Sequence, residues 1–180
     1  MISAGGTGGG VYPALAVAGA LRRLYSDLTL TFVGARGDMA RDLIQRANVT
    51  FDGYHEVLAG PLHGISRRGQ IASAVKIALG VVQSLILAIR LRPQVLFLTG
   101  GWVGFPMAAA CWLLRRPIVI YVPDIEPGLT LKLLGRYFAH TIAATVPETA
   151  AFFPGKRVVT TGYPLRPEIL SASRDEGIQA

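Results

Sequence analysis

The sequence predicts an α/β fold in which helices cover both faces of a parallel sheet, and three observations carry that expectation. First, an apolar strand end at Ile2 and Ser3 runs into Gly5, Gly6, Thr7, Gly8, Gly9 and Gly10, and then into an apolar stretch with Pro13 in its first turn. Such a strand–loop–helix turn lets backbone approach backbone closely. Second, runs rich in β-branched residues alternate along the chain with stretches of helical periodicity. Third, the opening pattern recurs in the middle of the chain, where the apolar run at residues 95–99 meets Gly100, Gly101, Trp102, Val103 and Gly104. Alternation of this kind implies parallel strands joined by right-handed crossovers.

In order, a helix is expected over residues 13–25, a strand over 28–33 ending at Gly34, a helix over 38–47 and a short apolar strand over 49–54. Residues 65–91 form the longest apolar segment. Lys76, Gly80 and Gln83 interrupt it, which argues against a spanning helix and for a long amphipathic one, with one side on the sheet and the other on a membrane or partner, a simple core helix being the default alternative. A strand at 95–99, a helix at 105–114 and a strand at 118–122 follow, the last running into the breaker-rich loop from Pro123 to Gly128. The remainder reads as a helix over 129–138, a strand over 141–145, a helical turn over 147–153 and a strand over 158–161. Gly162, Tyr163 and Pro164 then punctuate a polar, frayed tail. In open α/β sheets ligands bind beyond the carboxyl ends of the strands, so the loops after Ser3, Thr99 and Val122 are expected to face one cleft.

Composition narrows the partners. A net charge of +7 and 51% apolar residues, with a mean hydropathy of +0.43, suit a single domain that meets anionic ligands. The arginines stand in pairs at the edges of apolar helices, at Arg67 and Arg68, Arg90 and Arg92, and Arg115 and Arg116. That placement favours an anionic membrane surface over nucleic acid, which would call for aromatics interleaved with dense cations; solvated helix ends are the plainer alternative. The lone Cys111 fits a reducing cytoplasm and offers no disulfide or metal spacing. No cofactor and no metal is expected. The two or three residues ahead of the glycine loop are short for a buried strand, so a few further residues are expected before Met1.

The glycine loop itself reads as a phosphate cradle. Backbone N–H groups of Gly8, Gly9 and Gly10 converge at the positive end of a helix, and Thr7 adds a hydroxyl donor. A tight structural turn is the alternative. Beyond this, the run from Gly5 to Ala16 resembles the GGTGGH-x-x-P-x-L-A signature of the MurG-like glycosyltransferases, family 28. Phe32, Val33 and Gly34 with Met39 and Leu43 resemble that family's second strand and helix. Gly100 to Pro106 resemble its second glycine loop, and Gly128, Leu129 and Thr130 its following stretch. Gly162, Tyr163, Pro164, Leu165 and Arg166 resemble its GNPVR hinge. The resemblance implies the Rossmann-like N-terminal half of a GT-B glycosyltransferase. Residues 1–164 would form the acceptor-binding domain and 165–180 a hinge and tail, and a C-terminal domain would bind the UDP-sugar donor. It further implies a lipid-linked acceptor, such as undecaprenyl-pyrophosphoryl muramyl-pentapeptide, and a peripheral position on the inner face of the cell membrane. Alone, the chain is expected to be inactive.

The chain departs from the family at Gly10, where the family has His, at residues 121–124, where it has HEQN, and at Leu131, where it has Asn. Inverting transfer needs a base for the acceptor hydroxyl. Asp124, aligned with the family's Asn, is the candidate catalytic residue, with Glu126 as substitute; a helix cap near Pro127 is the alternative for Asp124. Gly101 and Trp102 would wall the cleft, Trp102 either stacking on a sugar or filling space between loops. Tyr12 and Tyr163 read as packing or hinge residues. His55, His63 and His140 share no motif. Two other functions compete. One is a non-catalytic membrane-associated module or the acceptor half of a split transferase. The other is an ordinary nucleotide-binding domain, against which stands the absence of an acid directly after the second strand, where Val33 is followed by Gly34, Ala35 and Arg36.

Overall fold

The computed structural model describes residues 1–5, 8–47, 49–61, 64 and 66–165. Expectations for Thr7, His63 and the tail from residue 166 onward therefore lie outside the described residues. The strands are β1 (Ile2–Ser3), β2 (Thr31–Ala35), β3 (Gly53–Val57), β4 (Leu96–Leu98), β5 (Ile118–Val122), β6 (Thr141–Ala144) and β7 (Arg157–Thr160). The helices are α1 (Gly8–Leu24), α2 (Ala40–Arg46), α3 (Arg67–Leu91), α4 (Gly104–Leu113) and α5 (Leu129–Tyr137), with a 3₁₀ turn over Pro147–Phe152. The strands form one sheet in the order β3-β2-β1-β4-β5-β6-β7, and every pairing is parallel.

Strand alternation sends successive side chains to opposite faces. Phe32 of β2 joins Ile2, Val11, Ala14, Leu15 and Ala18 under α1 and α2. Val33 joins Leu98, Met107, Ile120, Leu134 and Ile142 on the face covered by α3, α4 and α5. Phe32 is fully buried, with Phe51 edge-on at 5.3 Å and Tyr54 stacked at 6.0 Å. A side chain buried in this way contributes about 1.5–3 kcal/mol.

Two boundaries move for identifiable reasons. The sequence places a strand at 28–33, but Leu28 and Leu30 are taken up by a polar clamp. Arg22 at the end of α1 donates to the carbonyls of Thr50 (3.1 Å) and Leu28 (2.5 Å) and to the Asp52 carboxylate (2.6 Å), which also accepts from Leu30 N at 2.7 Å. Pairing with β1 therefore begins at Phe32 opposite Ile2, and β2 runs on to Ala35 opposite Val57. The first helix begins at Gly8, not at Pro13, so Pro13 stands inside it. Lacking an N–H, Pro13 leaves the carbonyl of Gly9 without its helical donor.

The clamp makes stability pH-dependent. The Leu30 N–H and then the Arg22 guanidinium hold the Asp52 carboxyl below its ordinary 3.8. A depressed carboxyl stabilises the fold above its unfolded value and loses that contribution as pH falls through the folded one. Below about pH 4 the denaturation midpoint should therefore fall more steeply in the native protein than in Asp52→Asn, which keeps an acceptor for Leu30 but loses the charge. Parallel pH profiles would refute the clamp's role.

Cys111 of α4 is completely buried, and burial pushes its thiol up to about 11. Because the thiolate is the reacting form, the folded protein should resist an aromatic disulfide reagent at pH 8 and react with one equivalent on unfolding. Rapid labelling of the folded protein would contradict this packing.

α3 is turned the opposite way from an ordinary surface helix. Its buried residues are Ser73, Ile77, Gly80, Ser84 and Ala88, all but Ile77 small side chains that let it lie close along α4. A Cβ on Gly80 would collide with the Leu58 carbonyl and stand 3.2 Å from Pro106 Cγ. Facing out are Ile71, Val75, Leu79, Val82, Ile86 and Ile89, each 52–68% exposed. By length and composition alone α3 could cross a membrane, with a mean hydropathy of 2.0 over its most apolar stretch. Its inner face, however, is packed against protein.

Candidate acceptor cleft

The strand order places β1 beside β4, and the chain leaves these two strands for helices on opposite faces of the sheet. This is the topological switch point, where loops diverge and open a crevice. The expected convergence of the first two glycine loops is found there. Thr99, just past β4, is buried, and its hydroxyl donates to the carbonyl of Gly10 at 2.6 Å. Gly101 has φ +80°, and a Cβ on it would strike the carbonyl of Gly5; one on Gly10 would lie 3.4 Å from the same oxygen. Gly5, Gly10 and Gly101 thus form a seam of bare backbone. Gly100, at φ +118°, turns the second loop against Leu131.

The first turn of α1 opens beside this seam, so the N–H groups of Gly8, Gly9 and Gly10 have no partner within the helix. Gly9 is exposed, while Gly8 and Gly10 are half-buried. The Thr99 hydroxyl is already committed to Gly10 and holds the two loops together. Trp102 is half-buried in the turn ahead of α4, and its carbonyl accepts from Phe105 N at 3.2 Å.

Asp124 is exposed beyond β5. Its carbonyl accepts from the Thr149 hydroxyl at 3.2 Å, and among the described residues its carboxylate has no hydrogen-bond partner. It does not cap a helix: α5 starts after Gly128, without a side-chain cap. Glu126 is differently placed. Lys132 Nζ donates to it at 2.8 Å while standing 5.0 Å from the Phe152 ring centre, and this pairing holds the Glu126 carboxyl below its ordinary value. Of the two acids, Asp124 is the one left free for chemistry. Tyr121 is buried, its hydroxyl 2.7 Å from Thr145 Oγ1, and Tyr163 meets its ring edge-on at 6.3 Å. Tyr121 is packed away, whereas Tyr163 is 47% exposed. Among the described residues no cluster of three or more His, Cys, Asp or Glu is placed to hold a metal ion.

One acid escaped the sequence reading. No carboxylate directly follows Val33, but β2 continues to Ala35, and Gly37 at φ +76° then turns the chain back. Asp38 N donates to the Ala35 carbonyl at 3.2 Å, and Asp38 Oδ1 accepts from Met39 N at 2.7 Å. Its other oxygen, Oδ2, lies against Gly5, where a Cβ would collide with it. The Gly37-Asp38 pair just before a helix was the available signal.

Comparison with known proteins agrees with this geometry. The family model described as the glycosyltransferase family 28 N-terminal domain matches residues 1–143. A UDP-N-acetylglucosamine--N-acetylmuramyl-(pentapeptide) pyrophosphoryl-undecaprenol N-acetylglucosamine transferase of Desulforudis audaxviator is 37% identical over 178 residues, which is 98% of this chain and 46% of that protein. The protein of the same description from Porphyromonas gingivalis is 37% identical over 94% of the chain and 44% of its own length. The chain thus spans about half the length of the curated relatives it matches. The crystal structure of Acinetobacter baumannii MurG superposes with a TM-score of 0.71 at 27% identity, covering 92% of this chain and 46% of that one. A UDP complex of Staphylococcus aureus MnaA, at 16% identity and a TM-score of 0.69, shares the fold alone. With a seven-stranded parallel sheet, glycine loops meeting at its switch point and a family match over residues 1–143, the chain belongs to glycosyltransferase family 28 as its Rossmann-like N-terminal domain.

Proposed function

We propose that this chain is the acceptor-binding half of an inverting, MurG-like transferase that moves N-acetylglucosamine from UDP to a lipid-linked muramyl-pentapeptide. Residues 1–164 form that half, and the UDP-sugar is held by a donor domain outside this sequence. The observation that carries the reading is the Gly5–Gly10–Gly101 seam at the β1/β4 switch point of a family 28 chain. Bare backbone there lets a bulky diphosphate-linked sugar approach the first turn of α1, where free N–H groups favour an anion.

In the transfer itself, the acceptor hydroxyl oxygen forms a bond to the anomeric carbon, the bond from that carbon to UDP breaks, and the hydroxyl proton passes to a base. Asp124 takes the proton. Its carboxylate is exposed and free of hydrogen bonds among the described residues, whereas Glu126 is tied to Lys132. With the donor domain supplied, Asp124→Asn should lower kcat about 100-fold or more and leave acceptor affinity within a few-fold. An unchanged kcat would remove Asp124 from the chemistry.

A membrane position goes with this reading. The apolar outer face of α3 is flanked by exposed Arg67 and Arg68 at one end and Arg90 and Arg92 at the other. Such a face suits an anionic lipid surface carrying the acceptor. Gly10 in place of the family's His, together with the packed-away Tyr121, favours one competing reading, a non-catalytic membrane module. Lipid binding without transfer under any donor supply would select it.

A further inference from the structure

We propose that Thr149 is a positioning residue for the transfer: its buried hydroxyl holds the backbone of Asp124 beyond the end of β5 and so fixes where that carboxylate stands. The inference rests on the reading of Asp124 as the base and adds the residue that keeps it in place.

The ladder between β5 and β6 ends at Val122, paired with Ala144, and Thr145 N still reaches the Val122 carbonyl at 3.2 Å. The Thr145 hydroxyl donates to the same carbonyl at 3.3 Å, which leaves it accepting from the Tyr121 hydroxyl at 2.7 Å. Val122 is thus held twice by Thr145. Asp124 lies two residues further on, past the end of the strand. Among the described residues its one hydrogen bond is the one from Thr149 Oγ1 to its carbonyl, at 3.2 Å.

Thr149 belongs to the 3₁₀ turn over Pro147–Phe152 and is completely buried although polar. A buried hydroxyl is costly to leave without a partner, and Thr149 is out of reach of water that could replace the Asp124 carbonyl. The bond is a fixed tether, not a surface contact that solvent exchanges. The turn that carries it is itself anchored. Phe153, the residue after it, is buried and occupies the space that a Cβ on Gly135 would need, and its N–H donates to the Ala150 carbonyl at 3.1 Å. The same turn meets the loop again two residues on, where Lys132 stands over the Phe152 ring and donates to Glu126. Both attachments spare the Asp124 carboxylate: one takes its carbonyl, the other the side chain of Glu126. The backbone is held while the carboxylate stays available for a proton.

The test uses the transferase with its donor domain present, as wild type, Thr149→Val, Thr149→Ser, Asp124→Asn and the double variant. Valine keeps the shape of threonine and removes the donor; serine keeps the donor. Thr149→Val should lower kcat about 10- to 100-fold while the KM values for both substrates change little, and Thr149→Ser should restore most of the rate. Added to Asp124→Asn, Thr149→Val should cost nothing more, because the group it positions is already lost. Should valine unfold the chain, Thr149→Ala takes its place. Equal losses in both backgrounds would make Thr149 a structural brace and overturn the proposal, as would an unchanged kcat in Thr149→Val beside an impaired Asp124→Asn. An undiminished kcat in Asp124→Asn marks the failure of the base reading, and the proposal falls with it. A second readout needs no turnover. In this chain, isotope-labelled and read by NMR, the Asp124 carbonyl carbon should move upfield in Thr149→Val and return in Thr149→Ser, because a hydrogen bond deshields a carbonyl carbon. An unchanged shift would overturn the tether itself.

Discussion

Gly101→Ala should destabilise the domain by about 2–4 kcal/mol and abolish acceptor binding. Two costs combine at this position. Its φ of +80° lies in the left-handed region, and its Cβ would strike the Gly5 carbonyl, so either loop must move for the methyl to fit. Gly155 separates the two costs. It has nearly the same φ, +75°, with nothing within 4 Å of a Cβ, so Gly155→Ala pays only the backbone term of about 1 kcal/mol. Chemical denaturation of both variants measures the difference. Equal, mild losses would mean that the two glycine loops do not press together and that the seam is not a built site.

The second large effect concerns α3. Changing Leu79, Val82 and Ile86 together to Glu should abolish binding to vesicles rich in phosphatidylglycerol while leaving the unfolding free energy within about 1 kcal/mol of wild type. These three side chains are each more than half exposed, so their replacement leaves no cavity. On a lipid surface, each would add about 1 kcal/mol of apolar burial, and each flanking arginine about 1 kcal/mol of attraction to anionic headgroups. Co-sedimentation with vesicles of graded phosphatidylglycerol content reads both contributions. Unchanged binding would move the membrane contact elsewhere. Unfolding of the triple variant would mean that the face is covered by protein.

How far these features can be read from the sequence differs from one to the next. The alternation of strands and helices is plain, because a parallel sheet buried on both faces needs continuous apolar strands such as residues 118–122, and these match β5 without adjustment. The meeting of the first two glycine loops also follows from position alone, since strand ends in such a sheet share one rim. The orientation of α3 does not. Gly80 reads as an interruption of an apolar run, whereas it is the point of closest packing, and the Ile and Val residues that look like core face outward. Periodicity reports that a helix has two faces, not which one the fold covers. Gln83 likewise reads as a polar break, yet its side-chain oxygen accepts from Leu58 N at 2.9 Å. Asp38 is hidden for a different reason. Its place beside Gly5 depends on the backbone sign at Gly37 and on β2 extending two residues beyond the expected end, and that extension is set by tertiary pairing with β3.

Two equilibrium titrations of the chain decide whether it holds the acceptor, as proposed, and not the donor. One uses undecaprenyl-pyrophosphoryl N-acetylmuramyl-pentapeptide in nanodiscs, the other UDP-N-acetylglucosamine in solution. Saturable binding of the lipid-linked sugar, above that to empty nanodiscs and without measurable binding of the nucleotide sugar, is the predicted result. Saturable binding of UDP-N-acetylglucosamine, with no preference for loaded over empty nanodiscs, would contradict it.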